Sequence, residues 1–379
     1  LAAILAAVTA VGVGCWVYQL IFGLTVTGMN NGTSWGLYIT NFMFFVGLSA
    51  GGLIVASSAS VFHITKFKAV ALPAIILSTV CICAAGMFVL IDLGGIQRVW
   101  RILTGPNPTS PLLWDVCVIT CYLIINVLYL VFMTRGNQHA VSIVSRFALP
   151  CAILVHSVTA WIFGLQQAHE FWHTALMGPW FVASALDCGT ALVLIVVIAL
   201  QKAGRLTIER SSMVNLAKML AVFTCVDLYF FACDLLTSGF PGGEGANVVA
   251  MLVTGPLAPF FWTQIACMVL ACVILFVPRL RTKGGVVFAS ALVIAGVFCK
   301  RCEILVGGFQ IPNIEFADVA NRMTITNWES GMSLFGYQGL VYWPTPLEFG
   351  VALGVVALGG FLLLLGLKYL PLHLTEKTA

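Results

Sequence analysis

Two stretches of this chain spell the same ordered pattern. Asp92 is followed by Ile102-Leu-Thr-Gly-Pro106 and Pro111-Leu-Leu-Trp114, and Asp234 is followed by Leu252-Val-Thr-Gly-Pro256 and Pro259-Phe-Phe-Trp262. In each copy an apolar run ends in a carboxylate, a connection closes on Thr-Gly-Pro, and a Trp-anchored apolar run returns. A pattern repeated in that order points to internal duplication, and the apolar flanks place the duplication in a membrane domain.

Composition agrees. Hydrophobic residues make up 60% of the chain and charged residues 8%, where soluble domains carry roughly 25% charged residues. Runs close to the ~20 residues that cross the hydrocarbon core as helix fall near 2–23, 36–62, 70–93, 112–134, 147–168, 179–200, 214–237, 257–277, 285–306 and 347–369. Uninterrupted runs fit helices rather than alternating barrel strands. The expected fold is an all-α integral membrane protein of about ten transmembrane helices. The duplication offset spans an even number of crossings, so both copies keep one orientation. This predicts two parallel-repeat four-helix bundles, 34–168 and 169–306, with one flanking helix at each end in 1–33 and 307–379. Small-residue spacing matches between the copies, Gly47-Leu-Ser-Ala-Gly51 against Ala185-Leu-Asp-Cys-Gly189, and such spacing lets helices approach closely.

Orientation follows from the cations. Lys66, Lys68, Arg135, Arg146, Lys202, Arg205, Arg210, Lys218, Arg279, Arg281, Lys283, Lys368 and Lys377 lie on one side, and Arg98, Arg101 and Arg322 on the other. The first side is cytoplasmic by the positive-inside rule. Both termini are then expected inside a bacterial or archaeal plasma membrane, with the loops 94–111, 238–256 and 307–346 outside. The net charge of +4 expresses that bias and gives no reason to expect a nucleic acid partner. The sequence opens at Leu1 rather than Met, which leaves room for residues upstream. The first apolar run has no small-residue cleavage pattern and is expected to span the membrane rather than serve as a signal peptide.

Redox cofactors need ligands in pairs or clusters. Most of the 13 cysteines fall inside apolar runs, where a free thiol behaves as a small hydrophobe. Cys299-Lys-Arg-Cys302 has half-site spacing, but no second pair follows at zinc or ferredoxin distance, and Glu303 stands where a c-type haem signature needs His. A b-type haem would need two His at one depth on neighbouring helices. His63, His139 and His373 map inside, His169 and His173 outside, and His156 is alone at depth. No haem or iron-sulfur cluster is expected in this chain.

Ionisable residues within a membrane are costly and usually functional. Counting ~1.5 Å per residue brings Asp227, Lys300 and Arg301 level, with Asp187 near the midplane and Glu303 a turn further out; Asp234 ends its helix. These six form a candidate buried charge network, either a structural ion cluster or a proton path. The first bundle has a different set near its outer rim: Trp35, Tyr38, Asp92, Arg98, Arg101, Trp114, Asp115, Gln166, Gln167, His169, Glu170 and His173. His156 lies deeper. Interfacial anchoring accounts for Trp114, Trp172 and His173, while His156 under a carboxylate-bearing rim could hydrogen-bond an amphiphile arriving from lipid.

The run Thr27-Gly-Met-Asn-Asn-Gly-Thr-Ser-Trp35-Gly-Leu-Tyr38, continuing into Phe45-Val-Gly-Leu-Ser-Ala-Gly51-Gly52, resembles the core of the polysulfide reductase NrfD family of respiratory membrane subunits. Thr104-Gly-Pro106, the segment from Leu149-Pro150 to His156, and Tyr369-Leu-Pro-Leu372 are similar too, and the likeness covers about residues 34–372. Ten helices resemble its longer branch, seen in alternative complex III, quinone reductase complexes and hydrogenase-2-type anchors. The resemblance implies a subunit with no redox metal of its own and with a quinone as substrate, menaquinone ahead of ubiquinone. It implies an extracytoplasmic ferredoxin-like iron-sulfur subunit as partner, with further oxidoreductase or cytochrome subunits beyond it. The expected quinone-binding residues are Trp35, Tyr38, Asp92, Arg98, His156, Gln166, His169 and Glu170; the expected proton path is Asp187, Asp227, Asp234, Lys300, Arg301 and Glu303. Two rivals stand beside this reading. One is a membrane anchor without a quinone site. The other is a secondary transporter, against which neither copy has the paired mid-helix Gly or Pro breaks of a midplane substrate site.

Overall fold

The computed structural model describes residues 1–30, 32–61, 68–310 and 342–370. Asn31, His63, Lys66, Arg322, His373, Lys377, most of the expected 307–346 loop and the Pro371-Leu372 end of the closing motif lie outside the described residues. Twelve α-helices and no strand occur among the described residues: α1 (Ala2–Phe22), α2 (Leu37–Val61), α3 (Lys68–Asp92), α4 (Arg101–Thr104), α5 (Pro111–Thr134), α6 (Gln138–Gly164), α7 (Met177–Lys202), α8 (Arg210–Gly239), α9 (Glu244–Val253), α10 (Ala258–Phe276), α11 (Lys283–Gln310) and α12 (Pro346–Tyr369). Ten are long and apolar enough to cross a membrane, all but α4 and α9. The protein is an all-α integral membrane protein.

The repeated sequence pattern has a local cause. α5 opens with Pro111 and α10 has Pro259 in its first turn, where a missing N–H costs nothing. In each copy the following Trp fastens its helix to the preceding connection, Trp114 Nε1 donating to the Pro108 carbonyl at 2.7 Å and Trp262 Nε1 to the Val253 carbonyl at 3.0 Å. Gly136, at φ 70°, makes the left-handed turn from α5 to α6 that a side chain would strain. Asn137 then caps α6, accepting from the Ala140 N–H at 3.1 Å. α12 begins with a full capping box, Thr345 accepting from the Glu348 N–H and Glu348 from the Thr345 N–H, which satisfies two otherwise orphaned donors.

Packing repeats as well. α2 touches α3, α3 touches α5, α5 touches α6 and α6 closes onto α2; α7, α8, α10 and α11 make the same four contacts in the same order. The two rings meet where α2 lies on α7, flanked by the α6–α7 and α2–α11 contacts, which correspond to each other. The small residues in both copies turn out to face one another. A Cβ on Gly51 would stand 2.5 Å from the Gly189 Cα and 2.6 Å from the Ala185 carbonyl oxygen, so the two helices cross backbone to backbone. Without a hydrophobic driving force between helices in lipid, such close dispersion contact is what holds them. α2 is consequently 89% buried over its apolar window and α1 only 11%. α1 packs chiefly on α12, with Gly12 against Gly354, and α12 packs on α3.

Candidate functional site

The expected site residues divide into three groups. In the first, Tyr38 at the start of α2 is fully buried and donates from its hydroxyl to Gln19 Oε1 at 2.6 Å; Gln19 Nε2 donates to the Ile91 carbonyl at 3.1 Å. Asp92 ends α3 next to that carbonyl, and its Oδ1 is buried without a hydrogen-bond partner among the described residues. The carboxyls of Asp92 and Glu348 are both within electrostatic reach of Tyr38. Glu348 is buried at the head of α12, accepting from the Gly28 N–H at 2.8 Å and from the Tyr342 hydroxyl at 2.6 Å, while Tyr342 in turn accepts from the Leu37 N–H at 2.7 Å. Burial, then the bond to Glu348, pushes the Tyr342 phenol well above its usual range, so it stays protonated. Arg98 is exposed on the turn after α3. Gln19 and Glu348 belong to the flanking helices, Tyr342 to the segment leading into α12, and none was anticipated, although Thr345-Pro-Leu-Glu348 is a visible capping-box signature.

The second group is aromatic. Trp35 meets Phe163 at 6.0 Å and Phe309 at 6.1 Å between ring centroids, and Phe163 and Phe309 both meet Trp172, at 5.3 and 5.1 Å. His169 lies 4.3 Å from Trp172 by centroid, with Nδ1 3.2 Å from the Gly308 carbonyl. Partial burial lowers the His169 imidazole from its ordinary value, against a smaller opposing pull from that carbonyl. Gln166 is exposed and folds back on the Ile162 carbonyl at 3.2 Å.

The third group fills the second bundle. Lys300 forms an ion pair with Asp227, the one salt bridge among the described residues, and lies 4.5 Å above the Trp180 ring. Arg301 donates to Ser184 Oγ at 2.6 Å and stands 3.9 Å over Phe181. Asp187 is within electrostatic reach of Asp227, Lys300 and Arg301. Gln264, with its amide nitrogen turned toward the acid, donates to both Glu303 oxygens at 3.2 Å. Outward of Glu303 a cleft opens, lined by Glu170, Thr174, Asp234 and Ser238 among others. Glu170, expected beside the quinone residues, therefore joins Asp234 and Glu303.

His156 stands apart from Tyr38 and Asp92. It is 2% exposed, both ring nitrogens lack a partner among the described residues, and Nε2 points at Gly47 on α2, where a Cβ would come within 3.7 Å. The Arg301 charge reaches it. The interior of the first bundle carries a neutral network that sequence reasoning missed: Tyr122 Oη lies 3.0 Å from Ser49 Oγ and 2.9 Å from Ser78 Oγ, and Ser78 donates to Asn126 Oδ1 at 2.7 Å. Thr159 donates to Asp115 Oδ1 at 2.7 Å, tying α5 to α6. Isolated serines and a tyrosine on apolar helices give no sequence signal of a shared network.

Among the described residues no group of three or more His, Cys, Asp or Glu is arranged to hold a metal ion. The profile of the family described as polysulphide reductase, NrfD, matches residues 25–313, most of the ring-forming chain. The chain belongs to the NrfD family. It is similar over nearly its whole length to several proteins named as membrane subunits. It is 32% identical to a putative dimethyl sulfoxide reductase membrane subunit of Halobacterium salinarum, over 98% of this chain and 90% of that one. It is 28% identical to the Hdr-like menaquinol oxidoreductase integral membrane subunit of Archaeoglobus fulgidus, over 97% and 92%, and 24% identical to the menaquinone reductase integral membrane subunit of Nitratidesulfovibrio vulgaris, over 93% and 87%.

Proposed function

We propose that the chain is a quinone-interacting membrane subunit of a respiratory oxidoreductase complex. The observation that carries this reading is the juxtaposition at the outer end of the first ring: a buried tyrosine hydroxyl fixed by Gln19, beside an acid with one oxygen unpartnered. Relatives that are menaquinol oxidoreductase and menaquinone reductase subunits support it. Two-electron quinone chemistry moves two protons, and each needs a positioned acid or base. Tyr38 Oη, its own proton committed to Gln19, keeps lone pairs to accept from a quinol hydroxyl, and Asp92 takes up or supplies the proton. Trp35 and His169 flank the aromatic wall, Arg98 and Gln166 stand at the solvent rim, and Glu170 faces the neighbouring cleft. Electrons pass to or from an extracytoplasmic ferredoxin-like iron-sulfur subunit docked on the outer loops, with further oxidoreductase or cytochrome subunits beyond it. The Lys and Arg bias supports cytoplasmic termini in a plasma membrane.

In the second ring the reading continues as a proton path. From the cleft at Glu170 and Asp234, Glu303 leads to Lys300, Asp227, Asp187 and Arg301, a run of buried ionisable groups reaching the midplane.

The test uses the intact complex and a short-chain naphthoquinone, in whichever direction the complex runs. Asp92→Asn and Tyr38→Phe are expected to lower quinone-linked turnover, Asp92→Asn by about 100-fold or more as a lost acid or base and Tyr38→Phe by about 10-fold as a lost hydrogen bond. Electron transfer between the soluble subunits and an artificial dye should persist in both. Full quinone turnover in both assembled variants would favour the anchor reading for this chain.

A further inference from the structure

The seam between the two rings buries polar atoms that the fold itself leaves unmatched. Both ring nitrogens of His156, both carboxylate oxygens of Asp187, and Nε and Nη1 of Arg301 have no hydrogen-bond partner among the described residues, although each side chain is at most 2% exposed. They come from α6, α7 and α11 and share one level: His156 lies about 12 Å below the outer end of α6 and Asp187 about 15 Å below that of α7. The Arg301 charge is felt by both. Between them Gly47 carries no side chain, and a Cβ there would stand 3.2 Å from Cys188 Sγ and 3.7 Å from His156 Nε2. Hydrocarbon offers these atoms nothing, and polar groups buried without partners are satisfied in folded proteins by ordered water.

We propose that this seam is a hydrated proton junction in which His156, through bridging water, exchanges protons with Asp187 and so connects the quinone ring to the charged ring. His156 lies two turns, about 10 Å, inward of Phe163, which touches Trp35. In the outward-to-inward step a proton released by quinol and held as hydronium on the pocket side passes to one nitrogen of the neutral imidazole, leaving water, and the imidazole releases the N–H of the other nitrogen to a bridging water. That water passes a proton to an Asp187 oxygen. One O–H bond of the pocket-side hydronium and one N–H bond break, one N–H and one O–H on the carboxyl form, and the ring is left as its other tautomer. Cys188 on α7 and His156 Nε2 on α6 both approach Gly47 on α2, and the Arg301 charge from α11 acts on His156 and on Asp187 alike. The junction rests on the quinone-subunit reading.

The experiment is redox-induced infrared difference spectroscopy on the intact complex driven by a short-chain naphthoquinone, with Asp187→Asn identifying the Asp187 carboxyl band and oxygen-18 water identifying the internal water bands. In His156→Leu both sets of bands should vanish. Gly47→Ala, which removes no ionisable group and intrudes a methyl on the seam, should shift the water bands and weaken the Asp187 band, and it covers the case in which His156→Leu does not assemble. Asp187 and water bands unchanged in either assembled variant would overturn the junction, as would the lack of an Asp187 band in an unmodified complex that turns over quinone. A complex that neither turns over naphthoquinone nor responds to it would overturn the quinone reading itself.

Discussion

At the scale of single residues the decisive pair is Lys300 and Asp227. Both are fully buried, and a charge left alone in a membrane interior is costly enough that removing one partner of a buried pair typically destabilises by about 3–5 kcal/mol. Replacing both partners by neutral groups of similar size is often close to neutral. Asp227→Asn and Lys300→Met should therefore each reduce the yield of assembled protein and its melting temperature, and the double variant should recover most of the loss. Asp187, within reach of Lys300, should make Asp227→Asn the milder of the two single changes. A double variant no more stable than the worse single would mean that the pair is not what these residues contribute. At the other site Asp92 has no such partner, so Asp92→Asn should leave the melting temperature nearly unchanged. On the proposed reading, this contrast separates an acid that acts on quinone from residues that must first satisfy each other.

Among the elements, the crossing of α2 and α7 sets how the two rings meet. Gly51→Ala would place its Cβ 2.5 Å from the Gly189 Cα, and overpacking of this kind costs roughly 1–3 kcal/mol. Gly86→Ala on α3 meets nothing within 4 Å and should leave the melting temperature level or slightly raised, since alanine favours helix. Equal melting temperatures for the two purified variants would remove the crossing as a determinant of stability. These elements also mark what the sequence could and could not convey. Helix number and span length follow from hydrocarbon thickness, and the doubled Thr-Gly-Pro and Trp motif announced its own repetition because each copy needs the same staple. Depth was legible too: counting residues along the axes put Asp227 and Lys300 level, and they pair. Rotation about the axes was not, because lipid and protein interior are equally apolar and a membrane helix declares no inward face. Hence His156, grouped by depth and rim with Asp92, turns Nε2 toward Gly47 on α2 within reach of the Arg301 charge, and Glu170 lines a cleft with Asp234. Gln19, Tyr342 and Glu348 lie outside the duplicated unit, where no repeat pointed to them.

Across the whole molecule the duplication has diverged in chemistry while keeping its packing. The middle of the crossing motif is Ser49 in the first copy and Asp187 in the second. Around Ser49 the network of Ser78, Tyr122 and Asn126 is neutral and mutually hydrogen-bonded, whereas around Asp187 the groups are ionic and incompletely matched. A neutral, satisfied network rigidifies; an ionic one with spare donors and acceptors can change its proton arrangement. The ionic groups also lie on one side of the midplane. From Asp187 outward they run through Asp227, Lys300 and Glu303 to the cleft with Asp234, while inward the unpartnered buried groups of the second ring are the hydroxyls of Thr190 and Ser290. On the proposed reading, a path built this way exchanges protons with the face onto which the cleft opens far more readily than with the opposite one. In proteoliposomes holding the complex in one orientation, with one pH dye outside and another trapped inside, quinone turnover should change the pH first on the side that the cleft faces. The Asp227→Asn/Lys300→Met double variant should assemble, keep most of its quinone turnover, and lose that pH change. Asp234→Asn, at the mouth rather than within the path, should slow it without abolishing it. Normal proton movement in the double variant would leave the second ring a purely structural ion cluster, and no proton movement in the unmodified complex would remove the path altogether.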